Sequence, residues 1–165
     1  PFSILKIICK DNTEKLFFDA KNHELFSIVS DDEQYVINDI DNQEEIDGAI
    51  AFYDKVTTDK FMEGVVIKPE IVYNKGIVPF LKCRNVNYLT LVYGYDFNDE
   101  IKYQKLVKNK GVRNKMNTSI KEFEIGKKML ESSYSSISLE NNEYLAKAIQ
   151  MIEEQEREIY LDPRL

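Results

Sequence analysis

Two short β-type runs, "EGVVIKP" at 63–69 and "IVPFLKC" at 77–83, flank a turn around "YNKG". Strands and helices are interspersed around them without a regular βαβ rhythm, which favours an α+β fold with an antiparallel core over a parallel one. Upstream, "PFSILKIICK" reads as a buried strand, "KLFFDA" as a second strand and "QYVIND" as another. "KNHELFSIVSDD" is a short helix with Asn22 as its N-cap. "DNQEEIDGAIAFYDKV" is a longer one, with Ile46, Ala49, Ile50 and Tyr53 at helical spacing and acids in its first turn. After Arg84 the pattern changes. "NVNYLTLVYG" is ambiguous, whereas "NDEIKYQKLVKN", "NTSIKEFEIGKKML" and "LENNEYLAKAIQMIEEQE" all carry helical periodicity. Met116, Ile120, Phe123, Lys127 and Leu130 share one face; Leu145, Ala148, Ile149 and Ile152 share another. The sequence therefore predicts a β-rich core over 1–95 and a helical module over 96–165.

With 165 residues, 43% hydrophobic and 12% aromatic, the chain can bury a core. No apolar run approaches the roughly 20 residues of a membrane helix, and no signal peptide is visible, so a cytoplasmic protein without a membrane partner is expected. The chain opens on Pro1 rather than Met, which suggests a processed or excised piece. Two cysteines, Cys9 and Cys83, without CxxC spacing, and a single His23 give poor support to a zinc finger, a disulfide scaffold or a Cys–His dyad. Both cysteines read as small core residues, and His23 as a surface or satisfied histidine. The net charge of −7 is unevenly spread. Residues 1–74 hold 7 basic and 16 acidic side chains, residues 75–128 hold 12 and 5, and residues 129–165 hold 3 and 8. A polyanion feels charge within about 8–10 Å, so the basic middle third decides which partners are allowed.

Side chains alternate faces along a strand, so Phe80, Lys82 and Arg84 point one way and Leu81 and Cys83 the other. Two cations at the end of an apolar strand carry a desolvation cost that an anion such as phosphate offsets. Glu63 opens the neighbouring run, and a carboxylate beside a phosphate suits a divalent metal. Acid, metal, phosphate and two cations describe phosphoryl or nucleotidyl transfer. Taken singly, each motif is also what an ordinary strand end looks like. Both in this order, nineteen residues apart, are a narrower pattern.

"EGVVIKP" followed by "LKCR" resembles motifs IV and V of the covalent nucleotidyltransferases, the superfamily of ATP-dependent ligases and RNA-capping enzymes. "PFSIL", "KFMEGVVIKP", "KGIVPFLKCRNVNYLTLVYG", "LVKNKGVRNKMNTSIKEFEIG" and the closing "DPRL" narrow the resemblance to the ligase region of the bacterial polynucleotide kinase-phosphatase-ligase of RNA repair. That resemblance implies the second half of an ATP-grasp-like nucleotidyltransferase ligase fold, followed by the family's helical module. It implies ATP and Mg2+ or Mn2+ as cofactors and RNA as substrate. Glu63 would help to hold the metal, Lys82 would contact the nucleotide α-phosphate with Arg84 as companion, and Lys68 would be an accessory cation. The family's reaction proceeds by lysyl-AMP formation, transfer of AMP to an RNA 5′-phosphate, and displacement by a 3′-hydroxyl. The implied partners are the kinase and phosphatase domains of a parent chain and an RNA 3′-terminal 2′-O-methyltransferase that docks on the ligase region.

The chain departs from the family in one respect. No K-x-x-G stands between Pro1 and Met62, where the nucleophilic lysine of motif I belongs. "KNKG" at 108–111 fits formally but follows motif V, so the chain alone is expected to form no covalent adenylate. Lys102, Lys105, Lys108 and Arg113, with Tyr93, Tyr95 and Tyr103 nearby, suit an RNA backbone and its bases, or equally a solvated helix face. A docking module without catalysis is the alternative from another class. A DNA ligase or capping enzyme is disfavoured, because the residues after Arg84 read as helical rather than as a β-rich OB domain.

Overall fold

The computed structural model describes residues 4–30, 33–108, 110–136, 138 and 143–154, with backbone only for 107, 110–113 and 152–154. The expected "DPRL" marker, and Pro1 to Ser3 of "PFSIL", lie outside the described residues. The class is α+β: two small antiparallel sheets and a predominance of helix.

The chain starts with a hairpin of β1 (Lys6–Ile8) and β2 (Glu14–Leu16), in which Lys6 pairs with Leu16 and Ile8 with Glu14. This hairpin is half open to solvent rather than buried, since Ile7 and Ile8 are exposed. Helix α1 (Asn22–Val29) follows. Asn22 is its first residue rather than its cap, and its side-chain amide donates to the Pro69 carbonyl at 2.8 Å. Helix α2 (Gln43–Thr58) forms as the periodicity predicts. Asn42 caps it by accepting from the Glu44 N–H at 3.0 Å, and Glu44 and Glu45 at one end and Lys55 at the other complement its dipole.

Residues 34–38 form no strand. Tyr35 instead packs on Phe52 of α2, its hydroxyl against Gly48, where an added Cβ would lie 2.1 Å from that oxygen. The Asn38 and Asp39 N–H groups donate to the Glu45 carboxylate. A β-type segment with no ladder partner has settled onto a helix.

Strands β3 (Gly64–Ile67) and β4 (Leu81–Arg84) pair antiparallel, with Gly64 opposite Arg84 and Val66 opposite Lys82. β4 begins at Leu81, four residues later than the apolar run suggests. The remaining helices are α3 (Val86–Tyr93), α4 (Glu100–Val107), α5 (Lys110–Glu131) and α6 (Glu143–Glu154). The ambiguous segment after Arg84 is thus helical, and α5 starts earlier than its periodicity does.

The core gathers Phe18, Leu25 and Val72, packed from outside by Phe17, Tyr73 and, on α5, Phe123 and Leu130. The predicted face of α5 is therefore the one that meets the first half of the chain. Lys127 on the same face lays its ammonium over the Phe18 and Tyr73 rings and pairs with Glu131. Cys9 and Cys83 are both exposed, correcting their reading as core residues. For Cys83 the reason is register, because β4 buries the alternate face. His23 is satisfied, its Nδ1 lying 2.8 Å from Glu70 Oε1.

Candidate nucleotide-phosphate site

The register of β3 on β4 decides the site. Gly64, Val66 and Lys68 alternate onto the same face as Phe80, Lys82 and Arg84. Together with Phe61, Met62 and Glu63 these residues line an open cleft of about 650 Å³. A cleft of that size is ample for a nucleotide. The two ribbons are very close at its base, where Gly64 (φ 151°) sits against β4. A Cβ there would lie 1.9 Å from the Cys83 carbonyl oxygen, so no side chain is tolerated.

Asn85 fastens the cleft's end. Its N–H donates to the Glu63 carbonyl at 2.8 Å, and its side-chain amide donates to the Met62 carbonyl at 3.0 Å. Its Oδ1 accepts from the Tyr88 N–H at 2.8 Å, capping α3. One residue thereby ties the start of β3, the end of β4 and the start of α3. Tyr88 in turn places its ring under the Arg84 guanidinium, 4.8 Å from centroid to Cζ.

Arg84 Nη1 donates to Glu63 Oε2 at 2.8 Å, with Arg84 mostly buried (18% exposed) and Glu63 reaching into water (61%). An ion pair so exposed on one side contributes little by itself. Arg84 Nε is buried without a hydrogen-bond partner among the described residues. Lys68 and Lys82, both partly buried, likewise have no hydrogen-bond or ion-pair partner among the described residues. Burial pushes the Lys68 ammonium below its usual pKa of 10.5, because nothing nearby stabilises its charge. Three cations answered by one solvent-facing carboxylate leave the cleft short of negative charge. A phosphate chain fits that deficit.

A metal fits less completely. Among the described residues no group of three or more His, Cys, Asp or Glu side chains converges. Among the described residues Glu63 is the one carboxylate lining the cleft. Mg2+ is often held by one or two carboxylates plus substrate phosphates, and Glu63 can supply that share and no more.

Lys102, Lys105 and Lys108 are not brought to the cleft. Lys102 folds back, donating to the Tyr93 carbonyl at 2.6 Å and pairing with Asp96 at 2.5 Å, so it closes the end of α3. Lys105 and Lys108 border a shallow depression with Glu100, Ile101 and Gln104. Lys108, the lysine of "KNKG", is the C-cap of α4 and does not line the cleft. Arg113 lies in α5, but its side chain is outside the described residues. Reasoning from sequence missed Asn85, Tyr88 and Phe61. Asn85 stands between a strand and a helix, a position whose capping signature was readable. Nothing in the sequence marks Phe61.

No curated protein matches the chain. Solved structures do, two of them as follows. A structure of the Pnkp1/Rnl/Hen1 complex is 33% identical with a TM-score of 0.78, and one of the Pnkp1/Rnl/Hen1 RNA repair complex is 32% identical with a TM-score of 0.72. Each match covers 100% of this chain and 41% of the other, so the chain spans about two fifths of those proteins' length. The family model of the PNKP adenylyltransferase domain, ligase domain, matches residues 10–155. The cleft of β3 and β4 thus lies within a recognised ligase region, and the chain belongs to the PNKP adenylyltransferase ligase-domain family.

Proposed function

We infer that this chain provides the phosphate-binding half of an ATP-dependent RNA ligase that seals healed RNA ends in the cytoplasm. The observation that carries the reading is the trio of cations on one face, two of them unpartnered among the described residues and the third with a buried N–H that has no hydrogen-bond partner among them. Such groups have a cost in the fold alone, and phosphate oxygens remove it. Lys82 and Arg84 take the α-phosphate, and Lys68 takes the neighbouring phosphate charge. As a nucleophile attacks the α-phosphorus and pyrophosphate leaves, negative charge grows on the oxygens these cations hold. Glu63 would be the residue to hold a divalent ion beside that phosphate, and such an ion would supply further charge neutralisation. Residues 1–95 form the motif-bearing half and 96–165 the helical module. The nucleophilic lysine, and the kinase and phosphatase domains, belong to a longer parent.

Binding of ATP to the chain tests this. Lys82→Ala should weaken ATP binding about ten- to a hundredfold, the worth of one charge-assisted contact. Incubation with ATP and magnesium should give no alkali-stable, acid-labile protein–AMP adduct. An adduct would assign the nucleophile to this chain, and unchanged affinity in the Lys82 variant would remove the phosphate site.

The name of the matched complexes supports a second reading, in which the chain docks an RNA 3′-terminal 2′-O-methyltransferase. Co-purification of that partner with the Lys82→Ala variant would show docking independent of nucleotide.

A further inference from the structure

Of the three cations in the cleft, Arg84 is the one the fold holds, and it holds it by a ring. Among the described residues the guanidinium has two contacts, the Glu63 carboxylate at Nη1 and the Tyr88 ring. Its Nε, through which a carboxylate fork commonly locks a buried arginine, has no hydrogen-bond partner there. Glu63 reaches into water, and an ion pair of that kind is weak and readily exchanged. It is also the carboxylate that a divalent ion would draw to itself. Whenever Glu63 is engaged elsewhere, the ring is the contact that remains.

The chain's own geometry puts that ring in place. Arg84 ends β4, Asn85 caps α3, and Tyr88 is the third residue of the helix. Asn85 Oδ1 accepts from the Tyr88 N–H, which fixes the backbone at that position. Helical side chains lean toward the N-terminus of their helix and cover the turn before their own. Tyr88 therefore leans back over Arg84, four positions earlier. Its hydroxyl has no hydrogen-bond partner among the described residues, so the ring face is what it contributes. Both side chains are partly buried, and a cation–π contact gains from desolvation. Neither Lys68 nor Lys82 has such a ring among the described residues. A long, flexible cation fixed before its ligand arrives loses less freedom on binding.

We propose that Tyr88 is a positioning residue for nucleotidyl transfer, whose ring holds the Arg84 guanidinium where a phosphate is received. The assignment rests on the phosphate reading above and adds what aims one of its cations.

The test is a double-mutant cycle on the full chain, read as binding of inorganic triphosphate. R84M should weaken binding about ten- to a hundredfold. Y88L should weaken it about three- to tenfold beside Arg84, and by less than about twofold in the R84M background, because the ring acts through the guanidinium. Y88F keeps the ring and should restore the affinity that Y88L loses. The Arg84 Nε–H resonance, recognised by its absence from R84M, should move downfield in Y88L, where the ring current is gone, and return in Y88F. This second readout decides the matter where R84M binds too weakly to measure, and Y88M takes the place of Y88L if that variant does not fold. Equal loss on Y88L in both backgrounds, no loss, failure of Y88F to restore binding, or an unmoved Nε–H signal overturns the proposal. Unchanged affinity in R84M removes the phosphate reading of Arg84 itself, a result separable from an R84M effect without one from Y88L.

Discussion

Lys6 and Lys82 are both lysines on short antiparallel strands, both drawn away from water, and the fold treats them in opposite ways. Lys6 is buried (side chain 7% exposed) and fully occupied. Its ammonium donates to the Leu130 and Ser132 carbonyls at 2.8 Å each and pairs with Glu14 at 2.5 Å. Glu14 also accepts from the Tyr134 N–H at 2.7 Å and from the Ser133 hydroxyl. These contacts, with the Lys6 ammonium foremost, hold Glu14 below the usual carboxylate range. The seam between the β1–β2 hairpin and the end of α5 is thus a closed account of donors and acceptors, with a cation where the helix dipole favours one. The cleft of β3 and β4 leaves Lys68 and Lys82 without a hydrogen-bond or ion-pair partner among the described residues. Charge that the molecule satisfies internally is architecture, and charge left unanswered beside a cavity is an invitation to a ligand.

That contrast predicts effects of different kind and size. Lys6→Met should have the largest, about 3 kcal/mol of unfolding free energy by urea titration, since it leaves the part-buried Leu130 and Ser132 carbonyls and part of the Glu14 charge without their partner. A change under about 0.5 kcal/mol would break the comparison at its structural end. Asn85→Ala should cost about 1–2 kcal/mol through the lost α3 cap and the lost tie to Met62, and should weaken ATP binding by loosening Glu63 and Arg84. Loss of stability with ATP binding intact would mean that the framework does not position the cations.

Lys68→Met should have the smallest effect on stability and the opposite sign. The Lys68 pKa is depressed in the folded state, so between that value and the ordinary 10.5 the unfolded chain binds more protons and stability rises with pH. The advantage is complete above 10.5 and is lost as pH falls through the depressed value, leaving a charged, poorly solvated lysine at neutrality. The methionine variant should be slightly more stable at pH 7, lack this slope in urea titrations across alkaline pH, and bind ATP more weakly. A destabilised variant would show that the ammonium has an internal partner after all.

Much of the site was legible because a strand has a period of two. Once "FLKCR" was read as a strand, Lys82 and Arg84 had to share a face, and an antiparallel neighbour had to bring Glu63 within reach. The helical face through Phe123 and Leu130 followed from the same kind of periodicity at 3.6. What stayed hidden depended on partners that no local pattern specifies. "QYVIND" has strand residues but no ladder to join, so Tyr35 was taken up by Phe52 and Gly48. Lys102 looks like its basic neighbours in sequence, yet it is committed to Tyr93 and Asp96. Phe61 could not be foreseen, since its left-handed backbone arises from how α2 ends and how Asn85 grips the next residue.

The Lys6 seam also bears on how the molecule is made. Lys6 and the Leu130 carbonyl are 124 positions apart, so the hairpin lacks its acceptors until the far end of α5 has been synthesised. At roughly 5–20 residues per second on the ribosome, that is a delay of roughly 6 to 25 seconds. During that interval the ribbon at 6–16 has Glu14 as the partner of its ammonium, and Phe17 and Phe18 beside it lack the cover that Phe123 and Leu130 of α5 later supply.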